Sequence, residues 1–157
     1  MFERYDTKEI ALIRKAVFKN QPTQEIERRK IQFESKILIV DDSATMRKIL
    51  KKSFIDFGFE TTNILEAPDG EDAIYVLMEH SDISLIITDV NMPKIDGLGL
   101  IASIMKNHSY RDVNILLLTS EQGDKIKDDA AHYDVETFIK PFNKDSFFGY
   151  LIKKMVD

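Results

Sequence analysis

From residue 36 onward, short apolar runs alternate with longer stretches in which apolar residues recur every three or four positions. The short runs are typical of buried strands, and the longer stretches are typical of amphipathic helices. Five such pairs follow one another, an order that predicts βαβ units around a parallel sheet in a doubly wound (βα)5 α/β domain. The predicted strands are Lys36–Val40, Thr61–Leu65, Ile83–Asp89, Val113–Leu118 and Val135–Ile139.

The helical stretches differ in how much apolar surface they offer to the sheet. The first predicted helix covers Ala44–Phe57, with Ser43 as its N-cap and Gly58 as its stop. The second, third and fifth carry apolar stripes: Ala73, Ile74, Leu77 and Met78; Leu98, Ile101, Ile104 and Met105; Phe147, Phe148, Leu151, Ile152 and Met155. The fourth, about Asp124 to Ala131, is short and polar, so we expect it to bury little and to be the most mobile of the five.

Residues 1–34 stand outside this alternation and predict a helical extension, separate from a main domain at 35–157. Residues 6–19 predict an amphipathic helix with one apolar face, formed by Ile10, Ile13, Val17 and Phe18. Pro22 breaks it, and the charged stretch 24–34 is a candidate second helix. Because an apolar stripe must be buried somewhere, the extension either folds back on the main domain or serves as a docking or dimerisation helix.

Composition narrows the class of protein. The 157 residues suffice for one domain with an appendage. With 43% hydrophobic and 31% charged residues, no apolar run approaches the roughly 20 residues of a membrane span, so we expect no membrane insertion. The first residues lack the pattern of a signal peptide, and the chain has no cysteine, so we expect a cytoplasmic protein.

Charge is unevenly distributed between the two parts. The net charge is −5, yet residues 1–35 hold eight Lys/Arg against six Asp/Glu, while the remainder holds 14 against 21. An acidic main domain argues against nucleic acid as its partner, because contacts between basic side chains and phosphates dominate the affinity of a protein for nucleic acid. The three histidines show no metal-ligand spacing, which argues against a zinc site.

Chemistry-bearing side chains gather where the predicted strands end. Asp41 and Asp42 follow the first strand, Asp89 ends the third, Thr119 follows the fourth and Lys140 follows the fifth. In open α/β sheets ligands bind at the carboxyl ends of the strands. If the first and third strands are neighbours, three carboxylates converge and repel one another unless a hard divalent cation is bound, which indicates Mg²⁺. Each residue also has a plainer interpretation, such as helix capping by the acidic pair, strand termination by Thr119 or a solvated Lys140.

The ordered set of motifs resembles the receiver domain of two-component response regulators, in a layout similar to the stand-alone chemotaxis type. The set comprises Asp41–Asp42, Asp89 with Asn91–Met92–Pro93 and Asp96–Gly97, Thr119–Ser120, and Lys140–Pro141–Phe142. The resemblance covers about residues 35–157 and implies a flavodoxin-like five-stranded parallel sheet of order 2-1-3-4-5. It leaves residues 1–34 unexplained.

The resemblance also implies a role for each site residue. Asp89 is the phosphoacceptor. The Mg²⁺ ligands are Asp42, Asp41 through water, Asp89 and the carbonyl of Asn91. Lys140 contacts a phosphoryl oxygen as a point charge, and the Thr119 hydroxyl donates to another.

One position departs from the family pattern. The family usually has an aromatic switch residue three positions before the lysine, and that position is Thr137 here. Phe138 follows it and should face the other side of the strand, because side chains alternate along a strand. Either Thr137 is a small switch that works with Thr119, or the strand shifts by one residue and Phe138 takes the role.

The resulting expectation is a stand-alone receiver rather than an enzyme of the usual kind. It takes a phosphoryl group from a sensor histidine kinase, loses it by autodephosphorylation, and binds a downstream effector through the face of the fourth helix, fifth strand and fifth helix. A homodimer is also compatible with the sequence. The alternative function is a phosphorylation-independent interaction or dimerisation module that uses the N-terminal helix. A phosphatase or flavin protein on a similar fold is disfavoured, because neither an Asp-x-Asp motif nor a Ser/Thr/Gly-rich phosphate loop follows the first strand.

Overall fold

The structure is a computed structural model, and it describes residues 36–110, 112–120, 124–140 and 147–151. The predicted N-terminal helix at 6–19 and the charged stretch at 24–34 lie outside the described residues, as do Pro141 and Phe142.

Five parallel strands form one sheet in the order β2-β1-β3-β4-β5, which confirms the predicted doubly wound architecture. The strands are β1 Lys36–Val40, β2 Ile64–Ala67, β3 Ile83–Asp89, β4 Asn114–Thr119 and β5 Glu136–Ile139. The helices are α1 Ala44–Phe57, α2 Gly70–Glu79, α3 Gly97–Met105 and α4 Asp124–Ala131, and residues 147–151 are helical and are termed α5 here. Short 3₁₀ helices cover Thr61–Asn63 and His108–Tyr110.

The second strand was predicted at the wrong position. The run Thr61–Leu65 was expected to be extended, but Thr61–Asn63 forms a 3₁₀ turn and the strand begins at Ile64. Pairing with β1 explains the shift, because the ladder starts at Ile37↔Ile64 and buries Ile64 and Ala67, whereas the two threonines remain exposed. The other strand boundaries differ from the predictions by no more than one residue.

Side-chain alternation along the strands creates a core on each face of the sheet. On one face, residues of β1, β3 and β4 pack with α2, α3 and α4; these include Leu38, Ile86, Leu117, Leu77 and Ile101. On the other face, the alternate strand residues pack with α1 and α5; these include Ile39, Ile87, Leu118, Phe54 and Phe147. The central strands are therefore buried on both faces, as their unbroken apolar runs predict.

The two ends of α1 behave as the sequence predicts. The Ser43 hydroxyl accepts a hydrogen bond from the Met46 amide, 3.2 Å away. Gly58 ends the helix at φ 122°, a left-handed backbone that residues with a Cβ rarely adopt. The polar helix α4 contributes one fully buried residue, Ala130, in agreement with the expectation that it buries little.

Candidate functional site

Three carboxylates meet at the carboxyl-terminal edge of the sheet. Asp41 directly follows β1, Asp42 comes next, and Asp89 is the last residue of β3, the strand beside β1. One carboxylate oxygen from each lies within 4.8 Å of the others. Asp41 is buried, Asp42 is exposed and Asp89 is intermediate, so the cluster opens to solvent on the side of Asp42. The three carboxylates therefore converge in the structure, as the sequence predicts.

Lys140 brings a positive charge into direct contact with two carboxylates of this cluster. It follows β5, and its Nζ lies 3.0 Å from Asp41 Oδ2 and 3.5 Å from Asp89 Oδ1. The lysine side chain is 15% exposed, so its charge acts in a partly desolvated setting. Its backbone amide donates to the carbonyl oxygen of Thr119 at 2.7 Å, which joins the ends of β4 and β5 beside the carboxylates.

The environment of Asp89 opposes its ionisation. Partial burial raises the pKa of Asp89; the Lys140 ammonium lowers it, and the negative charge of Asp41 raises it again. The Val90 amide, which donates to Asp89 Oδ1 at 2.8 Å, also favours the charged form. The pKa of Asp89 stays above the ordinary value of 3.8, because these favourable contacts do not offset burial and repulsion.

The charges and the ligand chemistry of the cluster fit a divalent cation. Three carboxylates against one ammonium leave a formal charge of −2, which one divalent ion would neutralise. All three side chains offer hard oxygen ligands, and the exposed Asp42 leaves room for the waters that Mg²⁺ retains. Asn91 lies two residues beyond Asp89, in the loop that follows β3, with an exposed side chain.

Asp41 is held from several directions, and it does not cap α1. The N-cap is Ser43, whose backbone amide donates to Asp41 Oδ1 at 2.8 Å. Arg47 Nη1 donates to the backbone carbonyl of Asp41, and Arg47 Nε lies 3.3 Å from Glu66 Oε1 at the end of β2. The capping interpretation of the acidic pair was therefore wrong. The role of Arg47 was not predicted, although its position one turn into a helix that starts at a strand end was an available signal.

The loop between β3 and α3 packs tightly against the strand that carries Asp89. The Gly97 amide donates to the Val90 carbonyl at 2.8 Å, and a Cβ at Gly97 would lie 2.2 Å from the Asp89 carbonyl oxygen. Only glycine therefore fits at this position. Asp96 caps α3 by accepting from the Gly99 amide at 2.7 Å, which agrees with the predicted loop-shaping role of Asp96 and Gly97.

A second contact that holds this loop, an ion pair, was not predicted from the sequence. Lys94 has a left-handed backbone, with φ 66°, and its ammonium lies 3.6 Å from the buried carboxylate of Asp69. Asp69 also caps α2 by accepting from the Asp72 amide at 2.9 Å. Asp69, Glu71 and Asp72 raise the pKa of Lys94. The end of β2 and the loop after β3 are thereby connected beside the carboxylates.

Thr119, Thr137 and Phe138 occupy different positions relative to the site. Thr119 is the last residue of β4 and is buried at the same sheet edge as Asp89. Thr137 pairs with Leu117, and its buried hydroxyl has no hydrogen-bond partner among the described residues. Phe138 lies on the opposite face, where its ring contacts Phe147 with centroids 5.4 Å apart. The expected alternation of these two side chains is therefore present, and Phe138 belongs to the core beside α5.

A model of the response regulator receiver domain family matches residues 37–151. The chain belongs to this family. Receiver domains are signalling proteins rather than enzymes of the usual kind, and they generally bind Mg²⁺ at an acidic pocket; this receiver has a cluster of three aspartates. In the described part of the receiver, no helix combines the length and the apolar character needed to cross a membrane.

Named relatives of this receiver are chemotaxis proteins. It is 37% identical over 108 residues to a chemotaxis protein CheY homolog of Campylobacter jejuni, an alignment that covers 68% of this chain and 82% of the relative. It is similar to the structure of chemotaxis protein CheY4 of Vibrio cholerae, with 28% identity, a TM-score of 0.67 and coverage of 76% and 98%. It is also similar to the CheX–CheY–BeF₃–Mg²⁺ complex of Borrelia burgdorferi, with 25% identity, a TM-score of 0.70 and coverage of 78% and 90%.

Proposed function

We propose that this receiver accepts a phosphoryl group on Asp89 from the phosphohistidine of a sensor histidine kinase, in a Mg²⁺-dependent reaction, and signals by phosphorylation-dependent protein binding. The observation that carries the proposal is the convergence of Asp41, Asp42 and Asp89 with the Lys140 ammonium at one edge of the sheet. The membership of a CheY-like signalling family supports it.

Asp89 is the nucleophile in this proposal. One of its carboxylate oxygens forms a bond to phosphorus while the bond between phosphorus and the histidine nitrogen breaks, and the nitrogen keeps the electron pair. A carboxylate attacks an anionic phosphoryl group poorly unless the repulsion is reduced and the reactants are aligned. Lys140 would contact one phosphoryl oxygen as a point charge, and Thr119, at the end of the adjacent strand, would donate its hydroxyl to another.

The residues that would hold Mg²⁺ are Asp42 directly, Asp41 through water, Asp89, and the backbone carbonyl of Asn91. When bound, the ion supplies positive charge that offsets the repulsion between the carboxylates and the incoming phosphoryl oxygens. Loss of the phosphoryl group by attack of water on phosphorus would return Asp89 to its starting state and end the signal.

The output surface proposed for this receiver is the face formed by α4, β5 and α5. Ile139 on β5 is 46% exposed, although it is a large aliphatic side chain, and the adjacent helix α4 is polar and mostly exposed. An exposed aliphatic side chain bordered by polar residues suits a transient protein interface. The Borrelia burgdorferi complex shows a CheY protein bound to CheX, so protein binding by a member of this fold has a structural example. Formation of a homodimer is proposed as a second form of this output.

Thr137 is proposed to couple the site to that face in place of an aromatic residue. It lies on the same face of the sheet as Thr119, and its buried hydroxyl has no hydrogen-bond partner in the part of the chain that the structure describes. A movement of Thr119 toward a phosphoryl group would therefore alter the surroundings of a small side chain. Phe138 is packed in the opposite core, which argues against a one-residue shift of the strand.

Thermal unfolding with Mg²⁺ and fluoroberyllate, a mimic of the bound phosphoryl group, tests the proposed site. A ligand at 100 times its Kd stabilises the native state by about 2.7 kcal/mol, which corresponds to a rise in Tm on the order of 10 °C for a domain of this size. We expect the native chain to gain stability with Mg²⁺ and more with both additives. Asp89→Asn should lose most of the response, whereas Asp128→Asn, which removes an exposed charge on α4, should retain it. Equal responses of Asp89→Asn and the native chain would refute the proposed site.

A further inference from the structure

An arginine on α1 holds the peptide group that joins the first two carboxylates of the cluster. Arg47 Nη1 donates a hydrogen bond to the backbone carbonyl of Asp41. Because a peptide group is planar, the orientation of this carbonyl also fixes the backbone nitrogen and Cα of Asp42. The Arg47 side chain is 17% exposed, so the hydrogen bond lies in a partly desolvated setting, where it is stronger than in water.

The same guanidinium is held from a second direction by β2. Arg47 Nε lies 3.3 Å from Glu66 Oε1, a contact that is an ion pair without hydrogen-bond alignment. Glu66 belongs to the strand that pairs with β1, and the next residue, Ala67, accepts from the Asp41 amide at 3.1 Å. A guanidinium carries several donors in a planar fork, so one arginine can contact a carboxylate and a carbonyl together. The end of β1 is thereby held between α1 and β2.

Asp42 depends on this support more than Asp41 does. The buried Asp41 carboxylate accepts from the Ser43 amide at 2.8 Å and from Lys140 Nζ at 3.0 Å. The Asp42 side chain is exposed, so packing holds it little, and the direction of its backbone determines where its carboxylate points. Groups that orient a metal ligand matter for affinity, since losing one typically weakens metal binding by about 10- to 100-fold.

We infer that Arg47 is a positioning residue of the metal site: by holding the Asp41 carbonyl, it orients the Asp42 carboxylate toward the cation. The inference rests on the proposed function, in which Asp42 binds Mg²⁺ directly. Through its charge alone, an arginine beside a cation site opposes cation binding, and its removal would strengthen that binding. Positioning has the opposite effect, because removal of Arg47 releases the peptide group before Asp42. The two effects therefore differ in sign.

Isothermal titration calorimetry of the full-length chain with Mg²⁺ measures this sign. We expect Arg47→Met to raise the Kd for Mg²⁺ about tenfold. Lys51→Met is the matched control, because Lys51 also lies on α1 and its Nζ is 3.6 Å from Glu66 Oε2. Each variant loses one positive charge and one partner of Glu66, but Lys51→Met leaves the Arg47 contact with the Asp41 carbonyl in place. Its Kd should equal that of the native chain or fall by up to about twofold.

A variant that keeps the charge separates geometry from electrostatics, and it also serves if Arg47→Met does not fold. Arg47→Lys has a single ammonium, which cannot reproduce both contacts of the fork, so its Kd should rise at least about threefold. A Kd for Arg47→Lys equal to that of the native chain would overturn the inference. So would a Kd for Arg47→Met no higher than that of Lys51→Met, even if urea unfolding in EDTA showed a loss of stability, because the role of Arg47 would then be structural only.

Asp42→Asn distinguishes a failure of this inference from a failure of the proposed function. If Asp42→Asn loses Mg²⁺ binding while Arg47→Met retains it, the metal site stands and the positioning role is refuted. If Asp42→Asn binds Mg²⁺ as tightly as the native chain, Asp42 is not a ligand, and the proposed site and the inference both fail. Weakened binding in Asp42→Asn, Arg47→Met and Arg47→Lys, with native binding in Lys51→Met, is the result that the inference predicts.

Discussion

Asp89→Asn removes a partly buried negative charge while keeping the shape of the side chain. The Asp89 side chain is 13% exposed and lies in a cluster with two other carboxylates. Asparagine can still accept from the Val90 amide through its side-chain oxygen. We expect the substitution to raise the free energy of unfolding of the metal-free protein by about 1 kcal/mol at pH 7, a direction opposite to that of most substitutions.

The magnitude follows from opposing electrostatic contributions. With an effective dielectric constant of about 20, unit charges 3.5 Å apart interact by roughly 5 kcal/mol, and carboxylates whose oxygens lie within 4.8 Å of each other repel by at least roughly 3.5 kcal/mol. The first value represents attraction between Asp89 and Lys140, and the second represents repulsion from Asp41. The exposed Asp42 adds a weaker repulsion. These contributions nearly cancel. The cost of partly burying the Asp89 charge therefore determines whether Asp89→Asn raises or lowers the free energy of unfolding, in agreement with the raised pKa of Asp89.

Urea unfolding followed by circular dichroism in EDTA measures this effect. The pKa of Asp89 in the folded state lies above 3.8. The protonated carboxyl group therefore stabilises the native fold at low pH, and this contribution is lost as pH rises through the raised pKa. Asparagine does not titrate in this pH range. The difference in free energy of unfolding between Asp89→Asn and the native chain should therefore be largest at pH 7 and should shrink as pH approaches 3.8. Asp128→Asn serves as the control for removal of an exposed charge. A variant less stable than this control at pH 7 would refute the electrostatic reasoning.

Three further substitutions, two of them paired with a control variant, test packing near the site and in the core by the same unfolding assay. Gly97→Ala should cost at least 2 kcal/mol, because its Cβ would lie 2.2 Å from a backbone oxygen, whereas Gly149→Ala, with open space around its Cβ, should be neutral or stabilising. Phe138→Ala should cost about 3 kcal/mol through lost ring packing, and Ile139→Ala, at a 46% exposed position, less than 1 kcal/mol; equal costs would contradict the core position of the ring. Thr137→Val should be neutral or stabilising by up to about 1 kcal/mol, because it removes a buried hydroxyl that has no hydrogen-bond partner within the described ranges; a loss above about 1 kcal/mol would show that the hydroxyl is bonded.

The elements with strong periodicity were predictable from the sequence, and the ambiguous one was not. Helix α1 has an apolar stripe, a serine cap and a terminal glycine, and all three local signals agree with its observed bounds. The run Thr61–Leu65 combines strand-forming residues with an asparagine, and there local preference does not determine the boundary. Pairing with β1 sets the start of this strand at Ile64, because it buries Ile64 and Ala67.

The convergence of the carboxylates was predictable because parallel strands place their carboxyl ends at one edge. The contacts that hold the cluster were not. Lys140 was expected at this edge, but its contact with Asp41, 99 positions away in sequence, was not, and neither was the hydrogen bond from Arg47 on α1 to the Asp41 carbonyl. Such contacts depend on side-chain direction in the assembled fold. The same limitation applies to Lys94 and Asp69, which belong to different loops.

Intact-mass spectrometry after incubation with Mg²⁺ and acetyl phosphate tests the central claim most directly. The native chain should gain one phosphoryl group, and Asp128→Asn should gain one as well. The added mass should be absent in Asp89→Asn, and EDTA should prevent its formation on the native chain. A phosphoryl group that still forms on Asp89→Asn, or that forms equally well in EDTA, would contradict the assignment of Asp89 as a Mg²⁺-dependent phosphoacceptor.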